Sequence, residues 1–469
     1  MELKCFSKSN FNPMIKAIVF VISLVINFSF SQNNLHRENL LDYVQNQTDT
    51  DVLLVQKDGK IIFEYFSKDW DARKPHELWS VTKSLTNMLV GISVREKKLS
   101  LEESLCDKLT EYNGSSYCQI KVIDILNHSS GIKWNEVYEK SIVESSPISM
   151  LYGKGALSTA DFVLSFPHVL EATPGNRWMY SSGDSNLLTK ILQKAYPKND
   201  YDELPWKKFA EPLGIESLTF EQDKSGSFVG ASFGYLNAED ALKWGSFLLK
   251  GDGTWRGREI LPKDWIRFST QVPEPFLKGR VVKAPLELPG RHFWPNRKVV
   301  ALGARKPWKD LPEDFFAALG HWGQMLGVLP SENLVVVRFG IDKDDARKYQ
   351  VNKLMHLVRE LGQNKKLPES SDVAGNPELV SSYKSGLRYN SWWPKIFKEV
   401  ELFSNYRAKD FCSCFYVFGQ SEEYCENFVK NKSVPSFLAP VRIHKDLKEI
   451  SVNKAKAHYV SKRFGCVLD

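Results

Sequence analysis

The chain has 469 residues, a formal net charge of +7, 42% hydrophobic residues and 12% aromatic residues. That composition supplies a sizeable core and excludes a globally disordered chain. The excess positive charge lies at the two ends, and in the tail it is interspersed with acidic residues. This is the pattern of a solvated face, so no nucleic-acid partner is expected.

At the N-terminus, Lys4, Lys8 and Lys16 precede an apolar run from Ala17 to Phe30, and Ser29-Phe30-Ser31 offers a small-x-small cleavage site. This is the layout of a secretory signal peptide over residues 1–31, with Met14 as an alternative start. The run is shorter than the ~20 residues of a spanning helix, which argues against a permanent anchor. The expected location is therefore outside the cytoplasm, periplasmic or extracellular. Beyond that segment lie Cys106, Cys118, Cys412, Cys414, Cys425 and Cys466, an even set that predicts disulfides in an exported chain. Cys106–Cys118 is the easiest pairing and would contribute ~3 kcal/mol in the chain-entropy model. The four tail cysteines admit three pairings, which stay open, and Cys412-Ser413-Cys414 lacks the spacing of a zinc knuckle.

Val52 to Val55 and Ile61 to Phe66 read as strands joined by a hairpin at Lys57-Asp58-Gly59-Lys60. A helix is expected from about Ser80, with Leu85, Met88, Leu89 and Ile92 as its apolar stripe. Helical segments broken by loops follow from Leu99 to Gly251. One is expected to begin at Leu187-Leu188, and another is capped near Asn237 ahead of Ala241, Trp244 and Leu248. Val272 to Leu311, rich in Pro, Arg and Lys, reads as a long loop over the site. Strands return at Phe315–Leu319, Met325–Leu329 and Asn333–Phe339, before a helix from about Ala346 to Leu361. Residues 32–363 are thus expected to form the main domain, 364–377 a linker, and 378–469 a cysteine-containing C-terminal extension.

Three stretches carry chemistry. In Ser80-Val81-Thr82-Lys83, positions three apart share a helix face, so Lys83 projects beside the Ser80 hydroxyl. A serine needs a base to become a nucleophile, and burial near a helix N-terminus favours the neutral amine that can be one. The alternative is a capping serine and a solvated lysine. About 100 residues later, Tyr180 lies on a turn after Pro174-Gly175, where a phenol near an amine can shuttle a proton. Finally, Gly320-His321-Trp322-Gly323-Gln324 places small residues around a polar one at a strand edge, suited to an extended substrate and an oxyanion hole.

This order of motifs resembles the penicillin-recognising serine hydrolases, and more closely their class C β-lactamase-like branch of D-alanyl peptidases, esterases and 6-aminohexanoate-oligomer hydrolases. Ile125-Leu126-Asn127-His128-Ser129-Ser130-Gly131-Ile132 is similar to the branch's LLxHTSGL. Pro174 to Asn186 is similar to its PGxxxxYSNxGYxLL, Leu236 to Ala241 to its MTAxDLA helix, and Asn333 to Arg338 to its last core strand. The resemblance covers about residues 40–363. It implies an α/β (α+β) fold, an antiparallel sheet flanked by helices plus an all-helical lobe, with the small C-terminal extension added.

It also implies acyl-enzyme chemistry on Ser80, with Lys83 and Tyr180 managing the proton and the N–H groups of Ser80 and Gln324 holding the oxyanion. His321, Trp322, Gly323 and Ser182 would complete the substrate-binding set. Two departures stand out: Ser182 replaces the asparagine of Y-x-N, and His321-Trp322-Gly323 replaces K-T-G. Both favour a small ester or amide over a β-lactam or cell-wall peptide, the alternative along with a non-catalytic binding module. The expected partner is a small-molecule substrate, with peripheral association with the cell envelope, no cofactor, no metal, and a monomeric state.

Overall fold

The computed structural model describes residues 33–138, 144–165, 170–278, 288–299, 306–343, 347–368, 393–430 and 439–469. The expected signal segment 1–31, and residues 369–377 of the expected linker, lie outside the described residues.

Strands β1 (Thr50–Lys57) and β2 (Lys60–Phe66) form the expected hairpin. Asp58 and Gly59 both sit at positive φ, 50° and 76°, which lets the turn follow the right-handed twist of the strands. Four further strands join them: β3 (Trp294–Pro295), β4 (Phe316–Gly320), β5 (Gln324–Leu329) and β6 (Leu334–Gly340). The sheet order is β2-β1-β6-β5-β4-β3, and every pairing is antiparallel.

β6 is buried along its whole length because both of its faces are covered. Val335, Val337 and Phe339 join one apolar cluster and Leu334 and Val336 the other, the period-2 alternation of a central strand. Helices α1 (Val81–Arg95), α2 (Ser182–Ala195) and α3 (Ala238–Lys250) contribute to the first cluster, and α4 (Val351–Gln363) to the second. This is the expected sheet with helices on both faces and a helical lobe built around α2.

Two expectations need correction. α2 begins five residues before Leu187, because the Ser181 hydroxyl accepts from the Asp184 N–H at 3.0 Å and caps the helix there. The segment from Val272 to Leu311 is not wholly irregular: it contains a short helix, Glu274–Lys278, and supplies the edge strand β3. No periodic pattern marks a two-residue strand in a proline-rich segment.

In the tail, helix α5 (Trp393–Cys412) packs against a four-stranded antiparallel sheet of β7 (Val441–His444), β8 (Glu449–Val452), β9 (Ala455–Ser461) and β10 (Gly465–Leu468). Disulfides join Cys106 to Cys118, Cys412 to Cys466 and Cys414 to Cys425. Phe411, Phe418 and Phe428 belong to the same apolar cluster as Leu85 and Trp244, so tail and body share one core. Buried polar contacts cross this boundary: Lys409 donates to Glu221, and the Tyr152 hydroxyl donates to Asp410 at 3.1 Å. Among the described residues, no helix is long and apolar enough to cross a membrane.

Candidate active site

The backbone kinks immediately before α1. Trp79 takes a left-handed conformation, φ 46°, which a bulky L-residue adopts only when its surroundings impose it. The kink delivers Ser80 to the N-cap position of α1, yet its side chain makes no capping hydrogen bond. The hydroxyl instead accepts from Lys83 Nζ at 3.0 Å, and the same nitrogen donates to the Ala231 carbonyl at 3.0 Å.

Lys83 is 1% exposed. Burial pushes its pKa down to about 8, an effect that the nearby Glu136 carboxylate partly opposes. The lysine is therefore not solvated, and its neutral form is accessible near neutral pH.

Tyr180 is buried beside this pair. Its ring centroid lies 5.0 Å from Lys83 Nζ, 5.1 Å from the His128 ring and 5.8 Å from Trp294. Ser80, Lys83 and Tyr180 line one cavity together with His128, Trp178, His292 and Trp294. His292 Nδ1 donates to the Lys83 carbonyl at 2.9 Å, and its ring stacks on His128 at 4.5 Å. Burial drives both imidazoles below their usual range, His292 to about 3, so both are neutral at physiological pH. Hydrogen bonds from Ser84 and Asn87 to the backbone of His292 and Arg291 tie this loop to α1.

Glu136 organises the Tyr180 side of the cavity. Its carboxylate accepts from the Ser182 N–H at 2.8 Å, the Ser182 hydroxyl at 2.6 Å, the Tyr138 hydroxyl at 2.5 Å and the Trp134 indole. The anion thus satisfies the N-terminus of α2, two residues beyond Tyr180. Ser182, expected to contact substrate, is fully buried and gives its hydroxyl to Glu136 instead.

The Gly320–Gln324 turn packs against Leu78 and Trp79, the residues immediately before Ser80. A Cβ on Gly320 would meet the Leu78 carbonyl at 2.4 Å, so only glycine lets β4 approach the strand leading to Ser80. His321 lies between Trp79 and Tyr138, at centroid distances of 5.4 and 5.0 Å. Trp322, at φ 54°, packs on Trp79 at 5.3 Å. Gly323 has φ 89°, and its carbonyl accepts from the buried Arg338 at 2.8 Å, which is itself paired with Asp342. The Gln324 side chain is buried, donating to the Gly340 carbonyl at 2.6 Å and accepting from the Gly340 N–H, so it can serve the cavity only through its backbone.

Residues 37–352 match the family model described as Beta-lactamase. The chain belongs to the β-lactamase family. It is 23% identical over 229 residues to the 6-aminohexanoate-dimer hydrolase of Paenarthrobacter ureafaciens, a match covering 47% of this chain and 57% of that one. The chain thus spans little more than half the length of this curated relative.

Among solved structures, the octameric penicillin-binding protein homologue of Pyrococcus abyssi superimposes with a TM-score of 0.52 at 18% identity, covering 71% of this chain and 78% of that one. EstCE1, a hydrolase with promiscuous acyltransferase activity, gives 0.52 at 13% identity, covering 71% and 98%. At these identities the likeness is one of β-lactamase-type fold.

Sequence reasoning passed over Glu136 and His292 and left His128 without a role. His128 sits within the Asn127-His128-Ser129-Ser130-Gly131 stretch and so carried a signal. His292 follows a Pro-Gly-Arg sequence in a segment without periodicity, where only tertiary contacts with α1 bring it to the cavity.

Proposed function

We propose that this protein is an exported serine hydrolase that cleaves a small ester or amide through an acyl-enzyme on Ser80. The observation that carries the reading is the 3.0 Å contact between Ser80 Oγ and a buried Lys83 whose pKa is lowered to about 8. Neutral Lys83 accepts the hydroxyl proton as Ser80 Oγ attacks the substrate carbonyl carbon. The developing oxyanion is received by the backbone N–H groups of Ser80 and Gln324. Tyr180, beside the resulting ammonium, relays the proton to the departing alkoxide or amine, and the carbon–heteroatom bond breaks. Water then attacks the acyl-enzyme by the reverse proton route and frees the acid.

The rim favours an uncharged substrate. His321 is enclosed by the rings of Trp79, Tyr138 and Trp322, and Arg338 behind the turn is paired with Asp342. The signal-peptide layout and the three disulfides support export, and the protein acts in this reading as a monomer without cofactor.

A fluorophosphonate probe is expected to label Ser80, and Ser80→Ala to abolish labelling together with turnover of p-nitrophenyl acyl esters. Labelling of the variant equal to wild type would defeat the assignment. Rapid nitrocefin hydrolysis with no ester or amide turnover would favour the β-lactamase reading.

A further inference from the structure

The family match ends at residue 352, and the tail from Trp393 onward lies beyond it. We infer that this tail is a working part of the site: its Cys414–Cys425 loop, through Phe428 and Lys343, fixes Trp322 against Trp79 and thereby shapes the rim that receives an apolar acyl group. The inference rests on the hydrolase reading above.

Trp322 is the residue that needs holding. A left-handed tryptophan persists only where its surroundings over-determine it. The body tethers its carbonyl, which accepts from the Asp342 N–H at 3.1 Å, from Gln324 Nε2 at 3.4 Å and from Arg338 at 3.5 Å. Phe428 of the tail and Lys343 of the body then hold the indole. Phe428 meets the indole edge-on, with centroids 6.1 Å apart and planes at 87°. Lys343 Nζ lies 4.4 Å from the Trp322 ring and 5.3 Å from the Phe428 ring, and donates to the Phe428 carbonyl. Trp322 then packs on Trp79, the neighbour of Ser80.

The same loop reaches Ser80 by a second route. Phe418, which packs on Phe428 at 5.5 Å, stacks on His76 at 6.0 Å. His76 lies in the short strand His76–Glu77 that leads directly to Trp79 and Ser80. The Cys414–Cys425 disulfide closes the loop that carries Phe418, and Phe428 ends the short helix Glu422–Phe428 that contains Cys425. The closed loop, through Phe418, and the adjoining Phe428, through Trp322, thus both bear on the segment from His76 to Trp79 that leads into Ser80. The surface it steadies consists of the rings of Trp79, His321 and Trp322, which suit an apolar acyl chain rather than a carboxylate.

Phe428 and Lys343 are positioning residues in this account, so their test must separate placement from general loosening. In the full-length protein, Phe428→Ala is expected to raise KM for p-nitrophenyl octanoate about tenfold while kcat/KM for p-nitrophenyl acetate, whose acyl group does not reach the rim, stays within about twofold. Phe428→Tyr should restore the wild-type KM. Lys343→Met should move KM for the long ester in the same direction by about two- to threefold, since a partly solvated cation–π contact is weaker. Melting temperatures establish that each variant is folded, and Lys343→Met carries the test if Phe428→Ala is not. Folded variants with wild-type constants on both esters, or with an equal loss on both, would overturn the inference. Wild-type protein that turns over neither ester would overturn the inference, and, where the fluorophosphonate also fails to label Ser80, the underlying hydrolase reading as well.

Discussion

Lys83 in the body and Lys409 in the tail are both buried helical lysines, 1% and 2% exposed, and they do opposite things. Lys409 is paired with Glu221, donates to Ser413 at 3.0 Å and lies 3.8 Å over the Phe233 ring. Its charge is compensated, and it fastens α5 to the residue that follows the short strand Thr219–Phe220. Lys83 Nζ hydrogen-bonds to a hydroxyl and a carbonyl and lies 5.0 Å from the Tyr180 ring, with no ion pair among the described residues. Burial favours the neutral amine, and the nearby Glu136 carboxylate offsets this only in part. The difference teaches that two equally buried amines part by their partners: one is held in an ion pair, the other is left to a hydroxyl and a carbonyl.

That contrast can be broken by removing each amine in turn. Lys83→Met should lower kcat/KM for an ester by ~10³-fold, the usual scale of a lost general base. Its melting temperature should stay level or rise, because a buried amine without a counter-ion is replaced by an apolar side chain of similar length. A variant that keeps its activity but loses stability would reverse the assignment.

Lys409→Met should do the converse. Stranding Glu221, already pushed upward by burial, is expected to cost about 3–5 kcal/mol of stability, read by denaturant unfolding, with a much smaller change in turnover per folded molecule. Mutating Lys409 and Glu221 together to apolar residues should recover much of that loss.

Glu136→Gln sharpens the comparison by the smallest step. Glu136 raises the Lys83 pKa, so removing its charge should move the acid limb of the pH–rate profile to lower pH. Weakening its charge-assisted hydrogen bonds to Ser182 and Tyr138 should also cost about 1–3 kcal/mol of stability. A profile that moves to higher pH would contradict the electrostatic role given to this carboxylate.

The two lysines were unequally legible in the sequence. Lys83 announced itself because a three-residue helical spacing from Ser80 is local, as were the Asp58-Gly59 turn and the Asn237 cap, whose side chain accepts from the Asp240 N–H at 2.8 Å. Lys409 carried no such mark: its partner lies 188 residues away, and only tertiary packing brings the two together. His292 was hidden for the same reason, reaching the cavity through a bond to the Lys83 backbone across 209 residues. Ser182 shows the reverse failure. A motif position pointed to substrate, but the burial of Glu136 at the start of α2 claimed its hydroxyl first. Local spacing thus placed Ser80 beside Lys83, whereas the residues that surround and brace the pair depend on long-range contacts.

The central claim is that Lys83 acts as a neutral amine. Its folded pKa of about 8 lies below the ordinary 10.5, so the native state binds fewer protons than the unfolded chain between those values, and stability contributed by this group rises as pH increases through that window. For activity, the competent fraction grows tenfold per pH unit below about 8 and saturates above it. The most direct measurement is the pH dependence of the rate at which Ser80 is acylated under single-turnover conditions. The account predicts a rise with a midpoint near 8 that disappears in Lys83→Met. A rate independent of pH from about 6 to 9, or a rise that survives the substitution, would contradict it.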